Sequence, residues 1–213
     1  HKTVPVDIRE QFAISPDSAR SGLIHLDEQE GIEEAVVLST CNRTEIYAVL
    51  KDETAKETLY DFFLALSGNS EAKDEYFFYF EGEACIRHLF EVVSGLDSMV
   101  IGEREIVGQV RRAAEVAAQR GTITPALSRL FQSSSAVSRK VAAKTSLAGH
   151  GRSIVHVALD LAKEVRGDLG DQRAILFGTG SYAGATVSAL RDHGVGDFDE
   201  AGGVGAEHQV TLV

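Results

Sequence analysis

The chain has no tryptophan, one methionine, two cysteines and three prolines. Two cysteines, Cys41 and Cys85, give no disulfide framework and fit a reducing, cytoplasmic setting. No H-E-x-x-H pattern occurs, and two distant cysteines with scattered histidines do not form a zinc ligand set, so no metal site is expected. Basic residues are few beside acidic ones: 21 against 32, for a net charge of −11 and a pI near 5.1. That balance argues against a broad, nonspecific nucleic-acid binder, although a specific contact needs only a local patch. No apolar run approaches the roughly 20 residues that span a bilayer, and no secretory signal pattern stands out. What remains is a chain of 213 residues, able to bury a core and to hold one large or two small domains.

The stretch of greatest chemical interest is Ser39-Thr40-Cys41-Asn42-Arg43-Thr44-Glu45. Ala35-Val36-Val37-Leu38 before it and Ile46-Tyr47-Ala48-Val49-Leu50 after it read as buried strands. The polar bend between them carries a thiol, a guanidinium, hydroxyls and an amide at a strand end, where scaffolds commonly hold chemistry. A cysteine acts as a nucleophile through its thiolate. In extended backbone Arg43 would lie on the same side as Cys41, where its charge would favour that form. Thr40 and Asn42 could donate to a substrate carbonyl or carboxylate. The plain alternative is a buried free cysteine in a hairpin.

Around that bend the pattern alternates helix and strand. Ser15-Pro16 starts a helix through Leu26, and Glu53 to Leu66 is helical with Gly68 as its stop. Tyr76-Phe77-Phe78-Tyr79-Phe80 reads as a short aromatic strand, and its acidic flanks favour sheet packing over base stacking. From Glu83 the chain turns mostly helical. Ile86, Leu89, Phe90 and Val93 form a stripe that Gly95 interrupts, with His88 beside it. Glu103 to Arg120 turns Ile106, Val110, Ala113 and Ala117 inward. Thr124-Pro125 opens a helix with threonine as its cap, whose face is Leu127, Leu130, Phe131, Val137 and Val141. Arg129, Arg139, Lys140 and Lys144 along it could meet phosphates, or simply face solvent.

Gly149-His150-Gly151 marks a boundary, giving expected domains of 1–150 and 151–213, and a further helix covers Ser153 to Val165. Ala174-Ile175-Leu176-Phe177 is a strand running into Gly178-Thr179-Gly180-Ser181-Tyr182-Ala183. That is G-x-G-x-x-A between strand and helix, the context of a dinucleotide fingerprint. Beyond Gly194 the expected second strand fails: Asp197-Phe198-Asp199-Glu200-Ala201-Gly202-Gly203 is polar and glycine-rich. Asp199 sits near the spacing of a ribose-binding acid without an apolar strand to hold it. His208 to Val213 offers at best a short terminal strand.

Three motifs in order resemble those of glutamyl-tRNA reductases: S-T-C-N-R-T-E-I-Y from Ser39, Gly95-Leu96-Asp97-Ser98-Met99-Val100-Ile101-Gly102-Glu103, and Ile106-Val107-Gly108-Gln109-Val110. The similarity runs from His1 to about Gly194. The segment from His1 to Glu10 resembles one that follows a short first strand in the family. The resemblance implies an α/β fold: an amino-terminal catalytic α/β domain with appended helices, then the start of a Rossmann-type NADPH-binding domain, incomplete here. It implies reduction of glutamyl-tRNA(Glu) to glutamate-1-semialdehyde with NADPH, opening tetrapyrrole synthesis.

By that resemblance Cys41 is the nucleophile that takes the glutamyl group as a thioester, and His88 orients or polarises the carbonyl or shuttles a proton. Thr40, Asn42, Arg43, Ser98, Glu103, Arg104, Glu105 and Gln109 match the glutamate pocket, with Arg43 suited to clamp the α-carboxylate. Gly178, Thr179, Gly180, Ser181, Tyr182 and Ala183 match the cofactor turn. Arg104 stands where the family often has proline, and Ser181-Tyr182 replaces a common Glu-Met pair. Partners implied are the charged tRNA and the downstream aminomutase, and the family's dimerising helical domain is not among these residues. Two other readings compete. One is a noncatalytic tRNA- or partner-binding module, motivated by the failed strand after Gly194. The other is a hydrolase whose thioester ends with water.

Overall fold

The computed structural model describes residues 4–40, 42–70, 72–103, 105–145, 154–176 and 182–200. Two compact units divide the chain, residues 1–150 and 151–213.

In the first unit, α1 (Val6–Gln11) and α2 (Pro16–Ile24) precede a hairpin of β1 (Ile32–Ser39) and β2 (Thr44–Leu50). Ser15 caps α2 as its sequence predicts, accepting from the Ser18 N–H at 3.0 Å, but a 3-10 turn over Leu26–Glu28 replaces the last helical turn. The strands pair antiparallel, with Leu38 opposite Glu45 and Ser39 opposite Thr44. Ala35, Val36, Val37 and Leu38 are all buried, as their continuous apolar run demands. Helices α3 (Ala55–Ser67), α5 (Glu105–Arg120) and α6 (Pro125–Lys144) pack on β1 together with α2. The left-handed Gly68 closes α3. In α6 the inward line is Leu127, Phe131, Ser134 and Ser138, so two serines take places that apolar periodicity gives to Val137 and Val141.

The aromatic run does not form a strand. Asp74–Tyr76 is a 3-10 turn, and residues 77–80 have no regular structure. The only described partner sheet of this unit is the two-stranded β1–β2 pair, so the run finds no ladder. Phe77 instead packs edge-on against Phe12, Tyr60 and Phe63 at 5.3–5.6 Å. Phe78 and Tyr79 stay exposed at 65% and 59%. Packing of one ring outweighs β propensity here.

Glu34 is a charged residue with only 4% exposure inside β1. Its carboxylate accepts from the N–H groups of Thr124, Ala126 and Leu127 at 3.1, 3.2 and 2.8 Å, and from the Thr124 hydroxyl. It therefore does the capping that sequence gives to Thr124, whose side chain makes no cap of its own. Burial pushes the Glu34 carboxyl up, but these hydrogen bonds bring it below its ordinary 4.5. A depressed folded value means that the stabilisation is in place above that ordinary value and is lost as pH falls through the folded one. Glu34→Gln places an NH2 group against these donors and is expected to lose about 1–3 kcal/mol at neutral pH. Urea denaturation should show the gap to wild type narrowing in acid; a gap independent of pH would contradict the ionised cap.

The second unit contains α7 (Ile154–Arg166), β3 (Arg173–Leu176), α8 (Tyr182–Asp192) and β4 (Asp197–Glu200). Contrary to the polar reading of residues 197–203, β4 forms and pairs parallel to β3, with Ile175 opposite Asp199. The left-handed Gly194 ends α8, and Val195, at 3% exposure, anchors the chain just before β4. The ladder is made by backbone groups, so a polar sequence does not prevent it once the preceding residue is held in the core. His208–Val213 lies outside the described residues. No helix among the described residues is long and apolar enough to cross a membrane.

Candidate active site

Chemistry converges on the tip of the β1–β2 hairpin. Cys41 lies outside the described residues, but the residues beside it define a tight turn. The Thr40 N–H donates to the Arg43 carbonyl at 2.8 Å, and the Thr40 hydroxyl accepts from the N–H groups of Asn42 and Arg43 at 3.2 and 3.1 Å. The expected placement of Arg43 beside Cys41 involves a residue outside the described ones. Arg9 of α1 braces the turn, donating through Nη1 to the Asn42 carbonyl at 3.1 Å and to Asn42 Oδ1 at 3.2 Å.

Arg43 points into the protein, with its side chain 8% exposed. Nη1 donates to Glu45 Oε1 at 2.9 Å and Asp97 Oδ2 at 3.2 Å, and Nη2 donates to the Asp97 carbonyl. Glu45 gathers three donors: Arg43, the Tyr47 hydroxyl at 2.7 Å and His88 Nε2 at 3.0 Å. Burial pushes the Glu45 carboxyl up, yet the hydrogen bond from His88, the charges of Arg43 and His88 and the Tyr47 hydroxyl together hold it below the usual range. Burial and Glu45 push the Tyr47 phenol upward, so it stays protonated and donates to Glu45.

His88 rides on α4 (Gly82–Val93), whose buried Leu89, Val92 and Val93 seat the helix in the core. The Phe80 ring stacks on its imidazole, with centroids 4.6 Å apart and planes 15° apart. Cys85 is one turn earlier on α4. Burial and the nearby Glu45 push its thiol up, keeping it protonated and a poor nucleophile.

The loop after α4 brings Asp97 to Arg43 and leaves Ser98 half-buried beside it. Gly95 makes the loop possible, since its φ is +71° and an added Cβ would sit 2.9 Å from the Glu103 carbonyl oxygen. Gly95→Ala is therefore expected to cost about 1–3 kcal/mol and to displace Asp97, as a urea titration and loss of activity would report; wild-type stability would refute the close packing. Glu103 lines a cleft of about 340 Å³ with Ser94, Arg111, Ser138 and Arg139. Glu105 and Gln109 stand one turn apart, half-buried on α5. Among the described residues no hydrogen bond joins these two to the Arg43–Glu45–His88 network. Arg104 lies outside the described residues.

Sequence reasoning overlooked Glu45, Asp97, Phe80 and Arg9 as site residues. Glu45 carried a signal: Arg43, Glu45 and Tyr47 recur at the period of a strand, so they share a face. The contacts of Asp97, Phe80 and Arg9 join distant segments and left none.

A sequence profile described as "Glutamyl-tRNAGlu reductase, N-terminal domain" matches residues 1–145. The chain belongs to the glutamyl-tRNA reductase family. A glutamyl-tRNA reductase of Rubrobacter xylanophilus is 42% identical over 201 residues, covering 93% of this chain and 46% of that protein. One of Kocuria rhizophila is 46% identical over 189 residues, covering 83% and 42%. The solved glutamyl-tRNA reductase of Methanopyrus kandleri superposes with a TM-score of 0.63 at 30% identity, covering 93% of this chain and 46% of that one. This chain thus spans a little under half the length of these glutamyl-tRNA reductases.

In the second unit Gly178, Thr179, Gly180 and Ser181 lie outside the described residues, while Tyr182 and Ala183 open α8. In the described residues β3 is followed by α8 and by β4, which pairs parallel to β3.

Proposed function

We propose that this chain carries the acyl-transfer site, and the opening part of the cofactor site, of an NADPH-dependent cytoplasmic enzyme that reduces glutamyl-tRNA(Glu) to glutamate-1-semialdehyde. The observation that carries this reading is the buried Arg43–Glu45–His88 network at the base of the turn that bears Cys41. A thiolate of Cys41 attacks the ester carbonyl; the C–S bond forms, the C–O bond breaks, and the ribose oxygen leaves with a proton. His88 is the group available to move or place that proton. Three of the five guanidinium N–H groups of Arg43 serve Glu45 and Asp97, which leaves two for the substrate carboxylate. Thr40, Asn42, Ser98, Glu103, Arg104, Glu105 and Gln109 complete the glutamate pocket in this reading.

Gly178, Thr179, Gly180, Ser181, Tyr182 and Ala183 would hold the pyrophosphate of NADPH, which when bound supplies the hydride for reduction. The noncatalytic alternative drew on a missing strand after Gly194, and β4 occupies that place. Release of a reactive aldehyde favours direct delivery to an aminomutase. Product analysis of the full-length protein with charged tRNA and NADPH is the test. Semialdehyde supports the reading, free glutamate indicates a hydrolase, and binding without product indicates a noncatalytic module.

A further inference from the structure

His88 has two ring nitrogens, and the surroundings treat them differently. Nε2 lies 3.0 Å from Glu45 Oε1. That carboxylate is already fixed by the Arg43 guanidinium at 2.9 Å and the Tyr47 hydroxyl at 2.7 Å, and Arg43 is fixed in turn by Asp97. An ionised carboxylate only accepts hydrogen bonds, so the hydrogen must sit on Nε2. Among the described residues no hydrogen bond reaches Nδ1. The Phe80 ring, 4.6 Å away and 15° from parallel, sets the plane of the imidazole. Turning the ring over would take Nε2 away from Glu45 and set a carbon against a buried carboxylate.

We propose that Glu45 and Phe80 are positioning residues that hold His88 in its Nε2–H tautomer, so that Nδ1 is the atom presented to the reacting group. This rests on the acyl-transfer reading. During transfer the thiol proton must end on the ribose oxygen, and Nδ1 is the nitrogen whose lone pair can carry it. The carboxylate behind Nε2 stabilises the cation formed in between. Among the described residues, the charged and titratable groups linked to the imidazole are Glu45 of β2, which touches it, Tyr47 of β2 and Arg43 of the turn, which bond to Glu45, Asp97 of the loop after α4, which bonds to Arg43, and Cys85 of α4, which feels the Glu45 charge. Only Glu45 touches a ring nitrogen among the described residues. The second wall explains why an aromatic residue outside any regular element lies against the imidazole: a ring held at one edge alone could still tilt.

The test is long-range 1H–15N spectroscopy on the full-length protein with 15N-labelled histidine, its His88 signals identified by their loss in His88→Asn. At a pH where His88 is neutral, a protonated Nε2 and an unprotonated Nδ1 are expected. The reverse pattern, or an even mixture, would overturn the proposal. Glu45→Gln keeps the shape of the side chain but can donate as well as accept, so it is expected to give a mixture of tautomers; an unchanged spectrum would count against Glu45 as the determinant. Phe80→Ala is expected to remove the ring-current shift from the His88 ring protons, and its persistence would remove Phe80 from the account. The same variants in turnover are expected to lower kcat by about 10- to 100-fold with little change in KM. The tautomer is read without turnover. An inactive protein with protonated Nε2 would thus defeat the functional reading alone, and an active one with protonated Nδ1 would defeat the proposal alone.

Discussion

Cys41→Ser is expected to lower semialdehyde formation by at least about 10³-fold, the scale of losing the nucleophile from a covalent mechanism. The two side chains have similar size, so the hairpin turn, held by Thr40 and Arg43 through backbone and hydroxyl bonds, has no reason to change. What changes is the reacting atom. A thiol gives a useful fraction of thiolate near neutral pH, while a serine hydroxyl is far less acidic and needs a matched base at the moment of attack. The acyl product differs as well, since an ester on serine accepts hydride less readily than a thioester. Mass spectrometry of wild-type protein with charged tRNA and no NADPH should reveal a glutamyl adduct on the peptide containing Cys41, absent in the variant. Turnover in the variant above about a tenth of wild type would remove Cys41 from the mechanism, and Cys85, with its raised thiol, would not replace it.

Arg43→Ala is expected to destabilise the first unit by about 3–5 kcal/mol and to reduce activity with it, because it takes the permanent cation away from two carboxylates in a poorly solvated site. Glu45 and Asp97 have side-chain exposures of 18% and 19%, and Arg43 bridges them at 2.9 and 3.2 Å. The effect depends on pH in a defined sense. Burial opposes the Glu45 charge, and the His88 and Arg43 interactions reverse that, leaving its carboxyl below the ordinary value. Glu45 therefore stabilises the folded state above its unfolded pKa, and that contribution is lost as pH falls through the folded value. Without the guanidinium the carboxyl rises, so the acid limb of stability moves to higher pH. Urea titrations from neutral to acidic pH should show the loss largest near neutrality. Arg43→Lys keeps the charge but not the planar fork and is expected to recover only part of it. Wild-type stability in Arg43→Ala would mean that the network does not organise the site.

Much of the fold can be read before any coordinate. The apolar run Ala35–Leu38, the Ser15-Pro16 helix start, the Gly68 stop and the inward line Ile106, Val110 and Ala117 all obey local rules, and the structure follows them. The exceptions share a cause. Tyr76–Phe80 has the composition of a strand but no ladder to join, and Phe77 enters an aromatic cluster instead. Residues 197–200 have the composition of a loop, but backbone pairing with β3 makes them a strand. Thr124 looks like a cap, yet the cap comes from Glu34, 90 positions earlier in the chain. In each case a partner distant in sequence decides the outcome.

The candidate site divides along the same line. Three ordered motifs in the chain point to the family, and the first of them carries the nominated sulfur; the histidine is nominated separately, by the resemblance at Arg87-His88-Leu89. Tertiary structure decided how they relate. It joined a hairpin turn, the following strand, a helix and a loop through Arg43, Glu45, His88 and Asp97, and it set Phe80 against the imidazole. Arg43 and Glu45 are neighbours that share a face at strand spacing, but covalent order brings none of His88, Asp97 and Phe80 to them. Their charges are held where they are because burial makes an unpaired one costly, and burial is a property of the folded chain.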